Sequence, residues 1–138
     1  MRTQRSTTPR KRIRRKSAHQ ELVQEADSWV RAIVLHRQGP KCLKCHEVKP
    51  LHAAHMLSKG AFPSIRHELD NVIGLCMKDH IYWAHREPVG FQQWIEELFP
   101  GRIQRLMEAA RHVRKVDLKE LICVLRDIAR KEGVPCGN

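Results

Sequence analysis

Aromatic residues are scarce in this chain: 5% of 138 residues, as three Trp, three Phe and one Tyr. Proteins that bind RNA through single-stranded bases stack them on exposed aromatic rings. Most of the rings here fall in helical apolar stripes, so few are left for that task. Acidic residues are also few, 15 Asp plus Glu against 26 Lys plus Arg, for a formal net charge of +11. That balance favours a polyanionic partner, nucleic acid before anionic membrane. The bland alternative is a ribosome-like or merely soluble basic protein. No run approaches the roughly 18 apolar residues of a membrane span. No apolar segment follows the basic N-terminus, which argues against a secretory signal and for a cytoplasmic location. Five cysteines is an odd number, and two stand as C-x2-C. Without a signal, that points to metal in a reducing compartment rather than a disulfide framework. Hydrophobic residues make up 41% of the chain, enough for one domain with a modest core that a metal staple would help. No internal repeat is present.

Residues 1–16 carry eight Lys or Arg and no acid. Ser6, Thr7, Thr8 and Pro9 interrupt any helix, so a flexible basic arm is expected, with phosphate contact as its functional reading. Residues 17–138 are expected to form a single domain. Leu22, Ala26, Trp29, Val30, Ile33 and Val34 share one helical face over 18–37, and Gly39-Pro40 ends that helix. Val48 to Met56 reads as a short hairpin or extended run, and Ser58 to Pro63 as a loop. Val72-Ile73-Gly74-Leu75 is an apolar run before Cys76, and a helix should start at Asp79. After Pro88 come a stripe of Phe91, Trp94, Ile95, Leu98 and Phe99, then one of Ile103, Leu106, Met107, Ala110 and Val113. Asp117 should cap the last helix, with Glu120 completing a capping box. Leu118, Leu121, Ile122, Leu125 and Ile128 form its buried face. Trp83 and Trp94 are assigned to the core, and Cys123 to packing or surface.

Cys42-x2-Cys45 can grip one tetrahedral zinc from a tight turn. A pair needs a second pair. Cys76 lies 31 positions past Cys45, with Asp79 and His80 behind it. The bland reading is a chance pair of buried thiols. His46, His52, His55, His67, His80 and His85 all fall within 40 residues. Imidazole suits both a divalent cation and proton transfer near neutral pH. A metal beside a neutral His is chemically sufficient to cleave a phosphodiester.

The run His55-x2-Ser58-Lys59-Gly60-Ala61-x-Pro63-x-Ile65-Arg66-x-Glu68-x2-Asn71-Val72-x3-Cys76, followed by Asp79-His80 and by Trp83-Ala84-His85-Arg86-Glu87-Pro88, resembles the HNH, or ββα-metal, nuclease pattern. It is closest to the phage NinG-like recombination endonucleases. The resemblance covers about residues 42–90. It implies a small zinc-stapled ββα-metal core. With the flanking helices read from apolar periodicity, the N-terminal helix and a C-terminal helical extension over about 91–132, the expected fold is α+β and mostly helical.

By the same resemblance His55 is the general base, Asn71 holds the loop that orients it, and His80 is a ligand of the catalytic ion. His85 is a second ligand or a phosphate contact. Cys42, Cys45 and Cys76 match the structural zinc knuckle of many members. Where many members carry a further Cys, this chain has Asp79. Asp79 is preferred as the fourth zinc ligand; in the alternative His80 completes the zinc and is lost to catalysis. Ala54 stands where members often place a metal ligand, and His52 is the nearest substitute.

The expectation is therefore a metal-dependent DNA endonuclease acting in phage or mobile-element DNA recombination or processing. Zn2+ would hold the fold, and Mg2+, Mn2+ or another divalent ion would serve catalysis. Lys59, Arg66 and the arm residues Arg12, Arg14 and Arg15 are the candidate DNA contacts. A double-strand cutter with one site per chain would favour a homodimer, and a phage-encoded protein would work in the host cytoplasm. The alternative is a non-catalytic zinc module that binds nucleic acid.

Overall fold

The centre of the fold is a two-stranded antiparallel hairpin with helices on both faces. The computed structural model describes residues 13–112 and 115–135. In chain order these form α1 (Ala18–Gln38), β1 (Leu51–His55), β2 (Val72–Cys76), a π-helical segment (Lys78–Ala84), α2 (Pro88–Leu98), α3 (Arg102–Arg111) and α4 (Leu118–Lys131). Two single 3-10 turns, Pro63–Ile65 and Leu69–Asn71, shape the long connection between the strands. The chain is α+β and 58% helical. Among the described residues no helix is long and apolar enough to cross a membrane.

Local chemistry accounts for the helix limits. Ser17 and Gln20 make a reciprocal capping box at the start of α1, satisfying two of its orphan donors. Gly39, at φ 86°, ends it. The Asp117 carboxylate caps α4 by accepting from the Lys119 and Glu120 amides. The stripe read for α1 is buried at Ala26, Val30, Ile33 and Val34; that of α4 is buried at Ile122 and Leu125 and half-buried at Leu118, Leu121 and Ile128, with Ala129 buried beside them. On α3 the stripe is narrower than expected. Leu106 is buried, but Met107 is 39% exposed because one position further round the helix turns it off the packed face. Val113 lies outside the described residues.

In the hairpin, Leu51 pairs with Cys76, Ala53 with Gly74 and His55 with Val72. Strand alternation puts Ala54, Ile73 and Leu75 on one face and Ala53, Val72 and Gly74 on the other. The first face packs with Ala84, Phe91, Ile95 and Leu106. The second packs with the buried stripes of α1 and α4. Trp83, Phe91 and Trp94 form an edge-to-face cluster on the first side, with Trp83 5.4 Å from Trp94, so both tryptophans serve packing.

α1 is fastened to β2 by an unusual bond set. The Gln38 side-chain amide donates to the Gly74 carbonyl at 2.8 Å and accepts from the Gly74 amide at 2.8 Å. It satisfies the outer edge of β2 as a third strand would. The approach is possible because residue 74 has no Cβ. A Cβ there would sit 2.7 Å from both Gln38 Nε2 and Leu35 Cδ2.

Candidate functional site

The segment joining α1 to β1 is a knuckle built for sulfur. The Cys42 amide donates to the Glu47 carbonyl and the His46 amide to the Cys42 carbonyl, both at 2.9 Å. This closes a tight turn over the C-x2-C pair. His46 holds φ at 62°, the left-handed value such a turn demands. The Cys76 amide then donates to Cys42 Sγ at 3.3 Å, tying the knuckle to the end of β2. Cys42, Cys45, Cys76 and Asp79 place one ligand atom each within 4.8 Å of all the others. Among the described residues no other group of three or more His, Cys, Asp or Glu side chains meets that limit.

The spacing tests whether zinc fits. Sulfur at about 2.3 Å and oxygen at about 2.0 Å from a tetrahedral zinc put S···S near ~3.8 Å and S···O near ~3.5 Å. Here Cys45 Sγ is 4.0 Å from Cys76 Sγ, and Asp79 Oδ2 is 3.2 Å from Cys42 Sγ and 3.3 Å from Cys76 Sγ. The acid–base state of the four groups points the same way. Burial, with Asp79 and Cys42 as hydrogen-bonding neighbours, pushes the Cys76 thiol up to about 11. Burial also pushes the Asp79 carboxyl up, but the hydrogen bonds from Cys42, Cys76 and Cys45 outweigh it and leave it below the usual carboxylate range. Three thiols and an ionised carboxylate packed this closely suit a cation that draws the thiol protons off. Asp79, not His80, completes this set.

The hairpin and the π-helical segment collect the histidines. His52 Nδ1 lies 3.2 Å from His80 Nδ1. His85 meets His80 edge-on, with ring centroids 4.5 Å apart. That contact is a product of π-helical winding. In an α-helix, side chains five apart diverge by about 140°. An i→i+5 turn, carried here by the His85 amide donating to the His80 carbonyl at 3.2 Å, brings them into line. Burial first, then the neighbouring His85 and His52, pushes His80 down to about 4. It is therefore neutral at physiological pH, with one ring nitrogen's lone pair available to an ion. The His52–His80 separation matches two nitrogens on one ion at about 2.1 Å each; His85 is exposed and does not complete a set of three ligand atoms within 4.8 Å.

His55 sits at the end of β1, beside this trio. Its Nε2 lies 3.0 Å from the Arg66 carbonyl oxygen. A carbonyl can only accept, so Nε2 carries the proton and Nδ1 keeps its lone pair. Burial pushes His55 below its ordinary value, and Lys59 adds to this, against the Arg66 carbonyl. Asn71 is fully buried and holds the loop that follows His55. Its Oδ1 accepts from the Leu57 amide at 2.8 Å, and its Nδ2 donates to the carbonyls of Leu57 at 3.0 Å and Ile65 at 3.3 Å. His55, Lys59, His80 and His85 open onto one cleft of about 650 Å³, floored by Ala84 and Phe91.

Comparison with family models, curated proteins and solved structures found no match to this chain. The site therefore rests on its own geometry.

Of the expected site residues, the four zinc candidates come together in one cluster, and His52, His80 and His85 in another beside His55. Lys59 is exposed at the rim. Arg66 faces inward: its guanidinium donates to Asp27 on α1 through Nε at 2.9 Å and Nη2 at 2.5 Å. Arg14 and Arg15 are exposed in the extended lead into α1, and Arg12 lies outside the described residues. Asp27 and Gln38 escaped the reading from sequence. Asp27 is one of several acids on the polar side of α1, and nothing in its spacing sets it apart from Glu21 or Glu25.

Proposed function

We propose that this protein is a metal-dependent DNA endonuclease of the HNH, ββα-metal type. The observation that carries the reading is the placement of His55: a neutral imidazole, its tautomer set by a backbone carbonyl, opening onto the same cleft as His80 and His85. The family pattern assigns the same positions to a general base and a metal ligand. In this reading Nδ1 of His55 takes a proton from water. The water oxygen bonds to phosphorus as the bond from phosphorus to the 3′ oxygen breaks. A divalent ion, when bound by His80 with His52 or His85, supplies positive charge to the scissile phosphate and the departing oxygen. His80 and His52 would each offer that ion one ring nitrogen, and Asn71 keeps the loop behind His55 from drifting. Lys59 at the cleft rim takes a flanking phosphate, and the basic arm adds affinity without reading sequence. Zinc at Cys42, Cys45, Cys76 and Asp79 holds the knuckle against the strand end and leaves His80 to the cleft. The resemblance to NinG-like enzymes supports a role in phage or mobile-element DNA recombination or processing.

The deciding experiment is plasmid nicking at low salt by wild type and His55→Ala, with Mg2+, Mn2+ or EDTA, and zinc content measured alongside. Wild type should cut only with added metal. His55→Ala should keep zinc, bind DNA and not cut.

One observation favours a second reading, a zinc-stabilised nucleic-acid-binding module without catalysis. Among the described residues only the Cys/Asp set is drawn tightly around a single point. Equal DNA binding by both proteins, with no cutting under any ion, would select it.

A further inference from the structure

A general base works only if its lone pair is aimed, and here the aim depends on one carbonyl in a connection with no strand to stiffen it. The Arg66 carbonyl belongs to the peptide unit between residues 66 and 67. The side chains on both sides of that unit end on the same carboxylate. Arg66 donates to both oxygens of Asp27, and His67 Nε2 lies 2.9 Å from Asp27 Oδ1. One residue earlier, the Ile65 carbonyl is held by Asn71. The peptide facing His55 is thus gripped from the core by Asn71 and from α1 by Asp27. A single ion pair would suffice to dock a loop on a helix. A carboxylate bonded to two successive side chains also fixes the rotation of the peptide between them. The fork is three-quarters buried at Arg66, where geometry is held more firmly than at an exposed pair.

We propose that Asp27 is a positioning residue for His55, acting through Arg66 and His67 on the Arg66 carbonyl. This makes α1, which lies outside the resemblance to the HNH core, part of the working site. The inference rests on His55 being the base of the proposed nuclease.

The test uses the full-length, zinc-loaded protein as wild type, Asp27→Asn, Asp27→Ala and Arg66→Lys. Imidazole 15N–1H spectra report whether the His55 Nε2 proton is protected from exchange with water, a readout that needs no activity. Nicking kinetics with Mg2+ report kcat and KM separately. Wild type should show the protected His55 proton. Each variant should lose it while retaining zinc and its KM for DNA, with kcat lowered about tenfold or more, the scale of a small misplacement of a reacting group. Asp27→Asn keeps the shape of the side chain, and Arg66→Lys keeps charge but not the fork, so the proposal does not hang on the most disruptive change. A protected His55 proton and wild-type kcat in folded Asp27→Asn and Arg66→Lys would overturn it. So would a rise in KM at unchanged kcat. If wild type itself cuts no DNA, the nuclease reading fails, and the proton readout alone then decides whether Asp27 holds His55.

Discussion

Asp79 shows how one side chain can decide which neighbours close a metal cluster. It stands within reach of three thiols, one residue before an imidazole that opens onto a different cleft. By closing the sulfur set it leaves His80 available. A fourth thiolate would serve the knuckle equally in geometry, and more strongly in affinity for a borderline-soft ion. Asp79→Cys should therefore retain about one zinc per chain, in keeping with a closed tetrahedral site. Asp79→Ala should bind zinc at least tenfold more weakly and lose it first to a chelator. Metal analysis after dialysis against graded EDTA checks both. If Asp79→Ala holds zinc as wild type does, the carboxylate is no ligand.

At the scale of elements, the contact between α1 and β2 decides how closely the N-terminal helix approaches the site. Gln38 replaces a missing strand, and Gly74 makes room for it. Gly74→Ala would put a methyl 2.7 Å from Gln38 Nε2 and Leu35 Cδ2. The ends of those two side chains would have to give way, breaking the amide pair. We expect a loss of about 2–3 kcal/mol from overpacking and unpaired backbone groups, read as a lower denaturation midpoint at unchanged m-value. The π-helical segment is the other element whose winding has a consequence, since its i→i+5 turn brings His85 edge-on to His80.

For the whole molecule, the direction of the pKa shifts fixes the response to acid. His55, His67 and His80 all sit below the ordinary imidazole value of 6.5, burial being the first cause in each. The unfolded chain therefore binds more protons than the folded one between that value and the folded pKa, which for His80 is about 4. Stability from these groups is present above 6.5 and is lost as pH falls towards 4. Asp27 and Asp79, held below their ordinary 3.8, withdraw theirs lower still. Thermal melts of the zinc-loaded protein should give a melting temperature that is level above pH 7 and declines from pH 6.5 to 4. A flat profile across that range would mean the histidines are not buried as described.

Much of the fold was legible from residue order because it is set by local rules. Apolar spacing, Gly39, Pro88 and Asp117 delimit helices through backbone geometry and capping, which neighbours in sequence control. The cysteine spacing likewise announced a knuckle, since a tight turn can present two sulfurs to one ion whatever surrounds it. Other features depended on parts of the chain far apart. Asp27 meets Arg66 across 39 positions and Gln38 meets Gly74 across 36. Neither residue differs in type or spacing from an ordinary polar residue of α1. The choice between Asp79 and His80 was also a tertiary one, because both follow Cys76 at spacings a ligand could use. The fold turns one towards the sulfurs and the other towards the cleft. Composition and local pattern determined which elements form and what chemistry they carry. Packing of α1 against the hairpin decided how that chemistry is aimed, because orientation is a property of surfaces that meet only after the chain has folded.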